Sequence, residues 1–410
     1  MKHQTTLPMT RPDGSATSAY CAMPASGHGP GLVLCHEIFG VNETMRKLAE
    51  RYAEEGYVVL VPDLFSQIRP GVDLGYGEED HAQAFALLER FDVDVGLADV
   101  ALAARTLRES PATTGQVAAV GYCLGGRLAY LAAAGALVDC AAGFYGVGIE
   151  AHLDHPPARP LMLHFGDADR YCPPATVARI AAHLAGSPDA RVHRYPDADH
   201  AFAREGSPLY RKPAALVSYE RTIAFLHEHI GPRYDLSSLW DRHTELEFEV
   251  RDAAETMRTM VAEPYVNHIP TLTGGVGARQ LHRFYKHHFI PSTPRDTRLI
   301  PISRTVGATQ IVDEQLFCFT HDEEIEWMLP GIAPTGRHVE IPLVAVVKFR
   351  GDKLCHEHIY WDQASVLVQI GVLDPAGLPV AGRETAAKLL DESLPSNVLM
   401  RSWARSEGMD

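Results

Sequence analysis

The sequence predicts a mostly parallel β-sheet covered by helices on both faces, followed by an α+β domain with a curved antiparallel sheet. Three observations carry this prediction. Through the first 230 residues, short apolar runs alternate with segments of helical period, which is typical of a parallel sheet with helices on both faces. Beyond them, two helical segments precede long alternating strands. Between the two patterns, Gly231–Ser238 (GPRYDLSS) has the composition of a linker.

In the first domain, residues 1–230, the strands are predicted from apolar runs rich in Val, Leu and Ala. A Pro-Asp-Gly turn at 12–14 predicts an antiparallel edge hairpin before the first of them. Helical periodicity is found at Glu43–Glu55 and Pro174–Ala185. The predicted strands are Gly31–Cys35, Tyr57–Val61, Val117–Tyr122, Pro160–Phe165 and Arg191–Tyr195.

The second domain is predicted over residues 239–378, after the linker at 231–238. A long amphipathic helix is expected at about Leu239–Val261, and a second helix near Ala278–His288. The tail, 379–410, is expected to hold one helix, Arg383–Asp391. Period-two alternation predicts strands at Thr309–Thr320, His338–Phe349 and Lys353–Trp361.

Composition limits the classes of function. The formal net charge is −15, which argues against a nucleic-acid backbone or an anionic membrane as partner. The seven cysteines are scattered, without a CxxC pair, so neither disulfides nor a zinc site is expected. We find no signal peptide and no apolar run long enough to span a membrane, so the expected location is the cytoplasm.

The motif Gly121–Gly126 (GYCLGG) follows an apolar strand and opens an Ala/Leu-rich helix. This is the context of a nucleophile elbow, with Cys123 as the nucleophile and a helix N-terminus that favours its thiolate. The alternative is a buried cysteine at an ordinary Gly-rich turn. No GxSxG occurs in the chain, so no serine competes for the role.

An elbow of this kind requires an acid and then a histidine further along the chain. Asp169 follows the strand ending at Phe165, although Asp167 in the same loop is a second candidate. His200 lies in the loop after the next strand. We therefore expect His200 to hold the thiol proton and Asp169 to fix the imidazole tautomer.

These residues carry a resemblance to the dienelactone hydrolase family, the carboxymethylenebutenolidases. It covers about residues 10–230, and cysteine at the elbow sets that family apart. The resemblance implies a hydrolase that opens a small lactone or ester, without a cofactor. The matching stretches are CHEIFGVN at 35–42, FDVDVGLADV at 91–100, GYCLGG at 121–126 and FYGVG at 144–148.

The resemblance also implies roles for further residues. Glu37 would interact with the cysteine and help to activate it, and Arg204 would bind a substrate carboxylate. The backbone N–H groups of Leu124 and Ile38 would form the oxyanion hole. Tyr122, beside the cysteine, is a candidate substrate contact.

One position departs from the family pattern. His81 stands where the family has a second carboxylate-binding arginine, within the acidic segment EEDH. That makes the family's own substrate doubtful for this chain, whereas the hydrolytic residues are kept. Arg69 or Arg90 could replace the missing arginine.

Residues 239–378 resemble the cone-shaped α+β fold of SnoaL-like polyketide ester cyclases. The resemblance is carried by YVNH at 265–268, PTGR at 334–337, the strand at 353–362 and QIG at 369–371. It implies that Asp362, at the end of that strand, is a general acid/base. Alternation places His356, His358 and Tyr360 on the same face as Asp362.

That polar row predicts a polar-lined pocket, into which His268 could also point. The alternative is that the row is a solvent face or a dimer face. Metal binding by His356 and His358 lacks a third ligand, so no metal is expected.

Three hypotheses follow from these patterns. The leading one is a lactone or ester hydrolase that acts through Cys123, His200 and Asp169. The second is a bifunctional protein whose second domain performs cyclisation or isomerisation through Asp362. In the third, the second domain is a non-catalytic binding or oligomerisation module, through which the chain forms a homo-oligomer.

Overall fold

The computed structural model describes residues 5–409 and divides into two compact units, Met1–Arg233 and Tyr234–Asp410. Tyr234 lies within the stretch predicted to be a linker. A helix already begins at Leu236, because the Asp235 carboxylate accepts a hydrogen bond from the backbone N–H of Ser238 and caps it. No helix in the described part of the chain is both long and apolar enough to cross a membrane.

From residue 5 onward, the first unit contains eight strands and six α-helices. The strands are β1 Thr5–Thr10, β2 Ala16–Ala22, β3 Gly29–Cys35, β4 Val58–Pro62, β5 Thr113–Tyr122, β6 Cys140–Phe144, β7 Leu161–Gly166 and β8 Ala190–Tyr195. The helices are α1 Glu43–Glu54, α2 Glu78–Glu89, α3 Val93–Glu109, α4 Leu124–Ala134, α5 Pro174–Leu184 and α6 Lys212–His229.

The eight strands form one mixed sheet in the order β1-β2-β4-β3-β5-β6-β7-β8. Strand β2 runs antiparallel to both of its neighbours, and the pairs from β4 to β8 are parallel. The predicted edge hairpin is therefore β1–β2. Because the parallel strands all end at one edge, the loops that follow β3, β5, β7 and β8 converge there.

Helices cover both faces of this sheet, as predicted. Alternate residues of β3 enter two different hydrophobic cores: Val33 packs into one and Leu32 into the other. The first core receives apolar residues of α3, α4 and α5, and the second those of α1 and α6. Burial on both faces explains why these strands are continuous apolar runs.

Up to residue 409, the second unit contains six strands and five α-helices. The helices are α7 Leu236–Thr244, α8 Ala253–Arg258, α9 Gly277–Phe284, α10 Gln363–Gln369 and α11 Glu384–Leu390. The strands are β9 Met260–His268, β10 Thr273–Val276, β11 Arg298–Val306, β12 Gln310–Thr320, β13 His338–Arg350 and β14 Lys353–Trp361.

These strands form a sheet in the order β10-β9-β14-β13-β12-β11, antiparallel except for the parallel pair β14–β9. The predicted continuous helix to Val261 is wrong. The helix passes into a π-helical turn at Glu245–Glu249, and Arg251 has a φ of 60°, which a helix does not accommodate. The chain then forms the short helix α8 and enters β9. A second π-helical turn, Tyr285–Phe289, extends α9.

Candidate active site

Cys123 lies between the end of β5 and the start of α4, with a φ of 55°. Glycines on both sides make this turn possible. A Cβ on Gly121 would lie 1.9 Å from the backbone oxygen of Gly125, and one on Gly125 would lie 2.1 Å from that of Cys35. Strand and helix therefore pack too closely for any side chain, and the half-buried cysteine stands at the tip of the turn.

His200 and Asp169 come from the loops after β8 and β7. Nδ1 of His200 lies 2.8 Å from Oδ2 of Asp169, whose side chain is fully buried. The other carboxylate oxygen accepts hydrogen bonds from the backbone N–H groups of Tyr171 and Cys172. The carboxylate is thus held in place, and it orients the imidazole so that Nε2 is the nitrogen left for other contacts.

The environment of His200 favours the imidazolium form. Burial lowers the pKa of this histidine, but the electrostatic interaction with Cys123 and a hydrogen bond to Asp169 outweigh burial and raise the pKa to about 10. A hydrogen bond between His200 and Cys123 adds to the same shift, so the two side chains are neighbours. The rings of Tyr145 and Tyr171 each contact the imidazole edge-on, at 4.9 Å between centroids.

Glu37 and Arg204, for which separate roles were predicted, form a buried ion pair. Nη1 of Arg204 donates to Oε2 of Glu37 at 2.8 Å, and the Tyr145 hydroxyl donates to Oε1 at 3.3 Å. The guanidinium also lies over the Tyr76 ring, 4.1 Å from its centroid. In this structure, Arg204 therefore neutralises Glu37, and its charge is shared with that carboxylate.

A cavity of about 360 Å³ opens at Cys123 and His200. Its walls are largely apolar, with several cationic side chains. The lining residues include Glu37, Ile38, Phe39, His81, Phe85, Leu88, Phe91, Cys123, Leu124, Arg127, Arg170, Tyr171, His200, Arg204 and Leu209.

The arginines at this cavity differ from those expected. His81 does line it, with its ring 4.9 Å from that of Phe39. Arg69 and Arg90 are exposed and are not part of its lining, so the prediction that either replaces the missing arginine is wrong. Arg127 and Arg170 line it instead.

The positions of both arginines in the sequence, close to Cys123 and to Asp169, could have indicated that they lie near the site. Arg127 lies one helical turn after Cys123, and its backbone N–H donates to the Cys123 carbonyl. Arg170 directly follows Asp169. Nε of Arg127 is buried and has no hydrogen-bond partner in residues 5–409, whereas Arg170 donates to the hydroxyl of Tyr171.

Leu124 and Ile38 are both buried at the cavity wall. Leu124 is the first residue of α4, so its N–H has no acceptor within the helix. Tyr122 is absent from this wall. Its ring stacks on Phe144, and it lines a neighbouring cavity, so a direct substrate contact at Cys123 is not supported.

In the second unit, the prediction of a polar pocket is wrong about which face of β14 points inward. His356 and His358 are half-buried and Tyr360 is exposed, while the alternate residues Glu357 and Ile359 are buried and line a cavity. The period-two pattern was correct, but the opposite face points inward.

Asp362 is exposed, and its carboxylate caps α10 through the N–H groups of Ala364 and Ser365. His268 does line the inner cavity, where burial lowers its pKa to about 4. Sequence reasoning missed three other buried titratable groups that lie together there: His243, Glu247 and Glu357.

Comparison with known proteins places the first unit. The model of the dienelactone hydrolase family matches residues 17–230. Carboxymethylenebutenolidases from Pseudomonas putida and Pseudomonas knackmussii are each 38% identical over 217 residues, which cover 52% of this chain and 92% of each relative. That of Cupriavidus pinatubonensis is 35% identical over 221 residues, 53% of this chain and 94% of the relative.

The fold, the elbow and these relatives define a carboxylic ester hydrolase of the α/β-hydrolase class. The chain belongs to the dienelactone hydrolase family. The family match ends at residue 230, and the three carboxymethylenebutenolidases match only about half of the chain. These comparisons therefore give no support to the SnoaL-like resemblance of the second unit. The structure does confirm the largely antiparallel sheet that was predicted there.

Proposed function

We propose that the first unit hydrolyses a small ester or lactone through a Cys123–His200–Asp169 triad. One observation carries the proposal. The three side chains come from three loops at the same edge of the sheet, with the 2.8 Å contact between His200 and Asp169 and the sulfur beside the imidazole. Cys123 and His200 line a cavity large enough for a small organic molecule.

In this proposal, His200 takes the proton of the Cys123 thiol, and the sulfur attacks the acyl carbonyl. The N–H groups of Leu124 and Ile38 stabilise the oxyanion. The C–O bond then breaks, and the leaving oxygen receives the proton from His200. A water molecule, deprotonated by His200, cleaves the thioester and restores the thiol. Asp169 stabilises the imidazolium through both halves of the cycle.

The cavity favours a substrate with an apolar body and a carboxylate. Its apolar wall includes Phe39 and Phe85, which suits a planar or branched acyl group. Because Arg204 is already paired with Glu37, Arg127 is the better candidate for the carboxylate, with its Nε buried and unpartnered.

The nucleophile is tested by Cys123→Ala, assayed with a panel of aryl esters and enol-lactones. We expect turnover to fall on the order of 10³-fold or more. Cys21→Ala is the matched control, since Cys21 and Cys123 are the two cysteines of residues 5–409 that are not fully buried. Unchanged turnover of the Cys123→Ala protein would refute the proposal.

The carboxylate site is tested by Arg127→Met on paired esters that differ only in a carboxylate. Loss of a charge-assisted hydrogen bond should lower kcat/KM about 10- to 100-fold for the anionic ester and leave the neutral ester unaffected. Arg69→Met is the control, as an exposed arginine outside the cavity. Equal effects on both esters would assign Arg127 a structural role.

For the second unit, we propose a supporting role in which it pairs copies of the chain. Acid/base chemistry at Asp362 was predicted because the residue was expected to face a pocket. Asp362 is instead exposed and caps a helix, so this support is lost. The exposed ring of Tyr360, on the outer face of β14, supports pairing through that face. Light scattering of the full chain tests this, and a monomer at micromolar concentration would exclude it.

A further inference from the structure

We propose that the second unit binds one divalent metal ion through His243, Glu247 and Glu357. His243 lies at the end of α7, and Glu247 lies one turn later, in the π-helical segment. Glu357 reaches them from the inner face of β14. All three are buried, with side chains 0%, 5% and 3% exposed. The site is separate from Cys123 and from the hydrolysis proposed above.

The spacing of the donor atoms fits a metal ion. Nε2 of His243 lies 3.1 Å from Oε1 of Glu247 and 3.2 Å from Oε1 of Glu357. One donor atom from each residue lies within 4.8 Å of the others. One point can reach three such atoms at about 2.4 Å or less, close to Zn–N and Zn–O bonds of about 2.0–2.2 Å.

Hydrogen bonding explains these contacts poorly. Within residues 5–409, Nε2 of His243 has no aligned hydrogen-bond partner although two carboxylate oxygens are close, and Oε1 of Glu357 has none either. The buried hydroxyl of Tyr285, on the same cavity wall, has no aligned partner among residues 5–409, although Glu247 is close to it. Unpaired polar atoms in an apolar setting are costly, so a group that binds all of them is expected there.

The other ring nitrogen of His243 prepares Nε2 to be a ligand. Nδ1 lies 2.5 Å from Oγ1 of Thr259, and that hydroxyl donates to the carbonyl of Thr256 at 2.7 Å. Since the hydroxyl proton is committed, Oγ1 accepts and Nδ1 carries the ring proton. Nε2 of the neutral ring then presents a lone pair toward the two carboxylates. Metal-binding histidines are oriented by such a second hydrogen bond.

Charge balance points in the same direction. With both carboxylates ionised and the imidazole neutral, the three side chains would carry −2, which a divalent cation cancels, and burial of uncompensated charge is strongly unfavourable. The nitrogen and two oxygen donors suit Zn²⁺ or Mn²⁺.

The cavity beside the cluster gives the ion an open coordination position. Glu247, Glu357 and Tyr285 line it, and its volume of about 30 Å³ has room for about two water molecules. Apolar side chains form most of the remaining wall, including Trp327 and Phe317. We infer that water completes the coordination sphere, within reach of the Tyr285 hydroxyl.

The test uses the full chain carrying Cys123→Ala, so that the thiol cannot bind metal. The chain is dialysed against a chelator and titrated with Co²⁺, followed by visible absorption, and with Zn²⁺, followed by calorimetry. We expect one ion per chain. Glu357→Gln should weaken binding on the order of 100-fold or more. His356→Ala, the adjacent residue on the opposite face of β14, should bind as tightly as the parent.

A measurement on the unsubstituted site keeps the proposal testable if Glu357→Gln does not fold. Zn²⁺ should raise the midpoint of the thermal transition followed by tryptophan fluorescence, because a ligand that binds only the folded state stabilises it. The absence of stoichiometric Co²⁺ or Zn²⁺ binding would overturn the proposal. Unweakened binding by folded Glu357→Gln protein, or an equal loss with His356→Ala, would also overturn it.

Discussion

The buried Glu37–Arg204 pair yields a quantitative prediction for stability. Arg204→Met removes the 2.8 Å contact and leaves the Glu37 carboxylate with only the 3.3 Å hydrogen bond from Tyr145. Breaking a buried ion pair costs about 3–5 kcal/mol. Because Glu37 also borders the cavity, water can reach the carboxylate, and we expect the lower end, about 3 kcal/mol.

For a unit of this size, a loss of about 3 kcal/mol lowers Tm by about 6–12 °C. Glu37→Gln should also destabilise, since it leaves the guanidinium without its carboxylate. The double variant should lose less than the sum of the two single losses, with a coupling of about 2 kcal/mol.

Differential scanning calorimetry of the full chain measures these shifts, and fluorescence assigns them. All four tryptophans of the sequence lie in the second unit, at positions 240, 327, 361 and 403. A calorimetric transition that moves while the tryptophan transition stays therefore belongs to the first unit. Single losses that add to within about 0.5 kcal/mol would refute the pairing.

Three further predictions concern the hydrolase site and the second unit. Since Cys123 and Asp169 raise the pKa of His200 to about 10 against the effect of burial, the imidazolium stabilises the fold fully below about pH 6.5. That stability should be lost as pH rises through 10, and Asp169→Asn should move the loss to lower pH in urea titrations. Asp362→Ala should lower the free energy of unfolding of the second unit by about 1 kcal/mol, as loss of a helix cap, and leave ester hydrolysis unchanged. Gly121→Ala should abolish soluble expression or activity, because its Cβ would lie 1.9 Å from a backbone oxygen of α4; an active, stable variant would contradict the packing described for the elbow.

The positions of Cys123, Asp169 and His200 at one edge of the sheet could be predicted from local sequence. Cys123, Asp169 and His200 each follow a strand, and parallel strands bring their carboxyl ends together whatever their order in the sheet. The pairing of Glu37 with Arg204 joins residues 167 positions apart, and no periodicity reports such a contact. The cationic lining by Arg127 depends on where the helix places a side chain one turn after Cys123.

In the second unit, alternation identified the two faces of β14 but not which one is buried. The histidines suggested a functional face, whereas the inward face carries Glu357, Ile359 and Trp361. The prediction of a long helix is wrong because the helical periodicity of the sequence continues past Arg251, whereas the backbone of Arg251 has a left-handed conformation with a φ of 60°. The spacing of His243 and Glu247 was visible, but their third partner lies more than a hundred residues away in the sequence.

The turn at Cys123 has a consequence for how this protein can change. Its left-handed backbone is held by the absence of side chains at Gly121 and Gly125, and by the hydrogen bond from the Cys123 N–H to the Phe144 carbonyl. None of these contacts involves the sulfur. The path of the chain thus fixes the position of the side chain at residue 123, whatever its chemical identity. A substitution at residue 123 can therefore change the chemistry of the side chain while the turn that presents it stays the same.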